Sequence, residues 1–163
     1  QVKNLCYNEK MKKIVLICTL AILSFNSISQ TCEEREGKLL ATIGGVSATM
    51  LYNTYVLIDV AKDAFLKKIY DTEKVTQLMN SQKGMFDFLI KTFEDNLKEK
   101  VFSKEDDKNF IESIAESIKG LKNQSVLLLK ITEDNSASNT EAYTKQKEKN
   151  WTAISSLLGI AEE

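Results

Sequence analysis

Two groups of residues have types and spacing that could do chemistry. Tyr52, Asn53, Thr54 and Tyr55 set three hydroxyls and a carboxamide side by side, and buried groups of that kind must find hydrogen-bond partners. Asp59 is the first charge after a long apolar run, and Asp63 follows four residues on, which is the same face of a helix. Two carboxylates beside a core have shifted acidity and can take a functional role. Each group also has a plainer reading, as hydroxyls bonding to facing helices and as an acid where a helix turns amphipathic. Trp151 marks the start of the apolar half of the last helix. Tyr52, Asn53, Tyr55, Asp59 and Trp151 are the candidate ligand or partner contacts.

Much other chemistry is excluded by what is missing. The chain has no histidine, which removes Ser-His-Asp and Cys-His systems, histidine general bases, haem ligation by histidine and most catalytic zinc sites. No Cys-x-x-Cys, phosphate loop or dinucleotide fingerprint occurs. Glu105, Asp106 and Asp107 lack the glycine-containing loop and alternating oxygen ligands of a calcium site and suit the first turn of a helix instead. Neither a catalytic residue nor a metal nor a cofactor is expected. With 22 basic against 23 acidic residues there is no concentrated basic face for nucleic acid.

The elements that would position these residues are helical. Of 163 residues 43% are hydrophobic, none is proline and only 6 are glycine, so the breakers that punctuate β-rich chains are scarce. Leu39 to Ile58 is uncharged throughout and predicts the most buried helix, with Ile43, Val46 and Leu57 in the core. Small residues four apart, Ala41 with Gly45 and Gly44 with Ala48, would let a neighbouring helix approach closely, and the paired glycines could break the helix. Helices are expected over about 32–70, 72–101, 104–131 and 139–161. Their N-termini are signalled by Thr31 with Glu34, Asp71, Ser103 with Asp106, and Ser138 with Glu141. Apolar stripes with steps of three and four run through Val75 to Leu97 and through Ile111 to Leu128. Lys145 to Asn150 is polar and should be partly exposed, so a lysine at Gln146 should be nearly silent. The fold class is all-α, an antiparallel (up-down-up-down) four-helix bundle.

A cleavable signal peptide is expected ahead of that domain. Lys12 and Lys13 follow Met11, Ile14 to Phe25 is apolar, and Ser27 and Ser29 are small residues before a cleavage at Gln30. Residues 1–10 are read as an upstream extension, 11–29 as the leader and 30–163 as one domain. Cleavage removes Lys3, Lys10, Lys12, Lys13 and Glu9, leaving 18 basic and 22 acidic residues, a net charge near −4. Cys32 is then the sole cysteine, either a free thiol or half of an intermolecular bridge. The Asn-x-Ser/Thr sequences at Asn123 and Asn150 fall in helical stretches and are not read as glycosylated.

The expected function is that of an exported, non-enzymatic helical bundle, periplasmic or extracellular. It would act as a binding or scaffolding module for protein, with homo-oligomerisation possible. Two alternatives remain: a small-ligand or sensor bundle with a pocket against the first helix, and a membrane protein in which Leu39 to Ile58 spans.

Overall fold

The computed structural model describes residues 31–160. The expected extension, signal peptide, cleavage point at Gln30 and Ala161 lie outside them, as does the side chain of Cys32. The chain divides into two compact units, residues 1–39 and 40–163, each taken by itself. Four helices make up the described part: α1 (Cys32–Leu66), α2 (Thr72–Lys98), α3 (Glu105–Glu133) and α4 (Ala137–Leu158). There is no strand among the described residues, and the arrangement is consistent with a four-helix bundle.

In the first unit the described residues form the opening turns of α1, capped reciprocally: the Glu34 amide donates to Thr31 Oγ1, and the Thr31 amide to Glu34 Oε2, each at 3.2 Å. All other contacts described here lie within residues 40–163. Asp71 caps α2 by accepting from the Lys74 amide at 2.8 Å. Two expected caps differ. Lys104 stands at the N-cap of α3 with no side-chain capping bond, while the three acids occupy the first turn, where the helix dipole favours them. The α4 cap is Ser136, whose Oγ accepts from the Asn139 amide at 3.4 Å. Asn139 also donates its side chain back to the Asp134 carbonyl at 2.8 Å, and the link between α3 and α4 is only residues 134–136.

Helix α1 stops four residues and α2 three residues short of expectation. The Ile69 and Tyr70 amides turn back to the Ala64 carbonyl, and the Val101 amide to that of Asn96. Each turn needs one left-handed residue, and Lys68 (φ 58°) and Lys100 (φ 54°) supply it. Glycine is the usual occupant, so these ends carry no sequence signal.

Side-chain pairs give the helix order. Lys119 reaches Glu94 and Lys122 reaches Asp87, joining α3 to α2. Asp59 pairs with Lys147 and Tyr55 with Trp151, joining α1 to α4. Gln124 bonds Tyr143, and Gly120 abuts Asn150, joining α3 to α4. Along each seam the residue numbers rise on one helix as they fall on the other, so each of these three pairs is antiparallel.

The burial pattern overturns one expectation. The most buried helix is α3, where Ile111, Ile114, Ile118, Leu121, Leu128 and Ile131 form a core stripe interrupted only by buried Gln124 and Ser125. Helix α1 buries only one side, through Leu40, Ser47, Leu51, Thr54, Ile58 and Ala61, at steps of three, four and seven. Val46 points outward, and Ile43 and Leu57 are half-buried. The helix also runs unbroken through Gly44 and Gly45. The close approach inferred there is present at Gly44 alone, where a Cβ would stand 2.8 Å from the Phe110 ring; nothing comes near Gly45. No described helix is long and apolar enough to cross a membrane.

Candidate functional site

Four of the five candidate residues meet at the seam of α1 and α4. The Trp151 ring lies 5.6 Å from that of Tyr55 and 6.5 Å from that of Tyr52, tilted on both, within the range of favourable aromatic contact. One turn further along α1, Asp59 Oδ2 accepts from Lys147 Nζ at 2.7 Å. Lys147 Nζ also stands 6.0 Å above the Tyr55 ring. That geometry follows from the spacing: residues 52, 55 and 59 share one face of α1, and residues 147 and 151 one face of α4.

Asn53 is on another face. It is exposed and lines a shallow depression with Ala41, Gly45, Val46 and Thr49, on the outward side of α1. Asp63 is exposed too, so the imagined carboxylate pair with Asp59 is replaced by an ion pair with Lys147. Thr54 is buried and Tyr55 half-buried, but Tyr52 reaches solvent.

The electrostatics of this seam suit packing better than catalysis. The hydrogen bond to Asp59 raises the Lys147 pKa and holds the ammonium charged, with burial opposing it. Burial raises the Tyr55 pKa against the opposing charge of Lys147. The one irregular feature is Asp59 Oδ1, a buried acceptor with no hydrogen-bond partner. Among the described residues no group of three or more His, Cys, Asp or Glu is placed to hold a metal.

Sequence reasoning missed a second constellation, a chain of side-chain hydrogen bonds between α3 and α4. Asn123 Nδ2 donates to Gln146 Oε1 and Gln146 Nε2 to Asn150 Oδ1, each at 2.8 Å. Asn150 Nδ2 donates to Gln124 Oε1 at 2.7 Å, and Gln124 Nε2 to the Tyr143 hydroxyl at 3.0 Å. Gln124, Asn150 and Tyr143 are buried, and burial pushes the Tyr143 pKa far above its ordinary value, the Gln124 hydrogen bond only partly offsetting it. Burial on α4 therefore begins at Tyr143, not Trp151, and Gln146 is half-buried rather than free on a polar face. The available signal was the step of three and four that joins Tyr143, Gln146, Asn150, Ile154 and Leu157. Two of those five residues are amides, which breaks the apolar look of the stripe.

Beside this network runs an open groove of about 710 Å³, lined by α3 from Asn109 to Asn123 and by α4 from Gln146 to Leu157. The outward side of α1 is different in kind. Val46 is 66%, Val60 54% and Val56 37% exposed, and between Lys38 and Asp59 the helix bears no charge.

The chain matches no protein-family model, no curated protein and no solved structure.

Proposed function

We propose that this protein is an exported, non-enzymatic helical bundle that binds another protein through the outward face of α1. The observation that carries the reading is the exposure of Val46 and Val56 within a run that has no charged residue from Leu39 to Ile58, continued past Asp59 by exposed Val60. An uncharged helix face with exposed apolar side chains marks an interaction site, and here the valines alternate with the exposed polar groups Thr49 and Asn53. Here α3 and α4 cover one side, and a partner would cover the other. The exposed small residues Ala41 and Gly45 leave bare backbone that a partner helix can approach closely. Because the face is neutral, association through it should depend little on salt. Export rests on the leader-like residues 11–29, and the absence of histidine supports a non-enzymatic role.

The test is a photo-crosslinking residue in place of Val46 in the full chain, expressed in its own cells, with the exposed residue Lys130 of α3 as control. The expected product is one discrete adduct from position 46, lost when Val56→Glu is added and unchanged by salt. An adduct of twice the chain mass would make the partner a second copy. No adduct, or one indifferent to Val56→Glu, overturns the reading.

A further inference from the structure

The groove between α3 and α4 is unlike the α1 face. Its floor is the hydrogen-bonded series Asn123, Gln146 and Asn150, held rigidly because it continues into the buried Gln124 and Tyr143. A primary amide carries two donors and two acceptor lone pairs. The bonds within the series leave Asn123 Oδ1 and one N–H each of Asn123 and Gln146 unused by protein.

Four more lining groups make no side-chain hydrogen bond or ion pair: the Asn109 amide, the Glu112 carboxylate, the Lys149 ammonium and the Ser156 hydroxyl, all exposed. The other lining charges are committed, since Lys119 holds both Glu116 and Glu94 at 2.9 Å. One free acid and one free base therefore remain at separate places. Asn150 packs on Gly120, which puts Lys149 about eight residues of α3 away from Glu112, roughly 12 Å at ~1.5 Å per residue.

That set of groups narrows the ligand. No aromatic ring lines the groove, so a glycan would lack its stacking platform. Leu157 and Ala153 are its only apolar side chains, too few to seat an amphipathic helix. The free charges are of opposite sign, which disfavours a simple anion or cation. An extended peptide fits each feature. Its backbone offers an N–H and a C=O at every residue for amides to pair with, and at ~3.3 Å per residue a spacing of 12 Å spans about four residues.

We propose that the α3–α4 groove binds an extended peptide segment bearing an acidic and a basic side chain about four residues apart, the acid against Lys149 and the base against Glu112. This site is separate from the α1 face and does not depend on it.

The experiment is selection of a displayed random heptapeptide library on the full-length protein, followed by fluorescence anisotropy of the enriched peptides. Binders should carry the two charges at that spacing. Lys149→Glu and Glu112→Lys should each weaken them at least tenfold, and exchanging the two charges in the peptide should restore binding to the double variant. Asn109→Ala should weaken binding several-fold with helical content unchanged by circular dichroism, since all three side chains are exposed. Val46→Glu should have no effect; if it abolishes peptide binding, the peptide sits on α1 and the groove assignment fails while the proposed function stands. No enriched peptide, binders indifferent to the charge variants, or maltohexaose binding the groove as tightly would each overturn the proposal.

Discussion

Gly120 of α3 and Asn150 of α4 share one volume: a Cβ at residue 120 would overlap Asn150 Oδ1. The absence of a side chain on α3 is what lets the amide of α4 lie between Gln146 and Gln124. Gly120→Ala gains helix propensity of about 1 kcal/mol, but it must displace a buried, doubly bonded amide, an overpacking cost of about 1–3 kcal/mol. The net expectation is destabilisation. Gly45→Ala meets nothing within 4 Å and should stabilise by up to about 1 kcal/mol. Urea unfolding of both variants, read as opposite shifts in midpoint, checks the pair.

Tyr143 governs alkaline stability. Its folded-state pKa lies above the ordinary value of 10.0, so the folded state holds the phenol proton at pH values where the unfolded chain releases it. The contribution is whole below about pH 10 and is lost as pH rises through the folded-state value. Lys147, also raised, adds to the same decline. Melting temperature should fall from about pH 10 upward, and Tyr143→Phe should flatten that fall. At neutral pH the same variant leaves Gln124 Nε2 buried without its acceptor, at a cost of about 1–3 kcal/mol. A Tyr143→Phe protein with the wild-type slope above pH 10 would contradict this account.

The two sides of α1 should respond oppositely to truncation. Leu51 is fully buried, and Leu51→Ala should cost about 2–5 kcal/mol. Val46 is exposed, and Val46→Ala should stay within about 0.5 kcal/mol. Chemical denaturation of purified protein measures both. Equal losses would mean that the outward face is covered within the molecule.

Lys68 and Lys100 hold the left-handed positions that end α1 and α2. A residue with a Cβ pays about 1 kcal/mol there that glycine does not. Lys68→Gly and Lys100→Gly should therefore each raise stability by about 0.5–1 kcal/mol, less the greater freedom glycine gives the unfolded chain. Thermal unfolding of the single and double variants, with gains that add, is the check.

The helices were legible in the sequence because local rules produce them. The scarcity of breakers, the Thr31 and Asp71 caps and the three-and-four stripe from Ile111 to Leu128 each depend on neighbours a few residues apart, and the structure keeps them. The meeting of Tyr55, Asp59 and Trp151 was legible in part, since 55 and 59 share a helix face whatever that face touches. Which side of α1 is buried was not. A run without charges from Leu39 to Ile58 has no polar side to mark the solvent, so only the placement of α3 and α4 decides that Leu51 and Ile58 go in while Val46 and Val60 stay out. The amide network has the same cause in reverse. Gln124, Gln146 and Asn150 read as surface residues because a polar group alone is costly to bury, and only tertiary contact supplies the partners that make their burial possible.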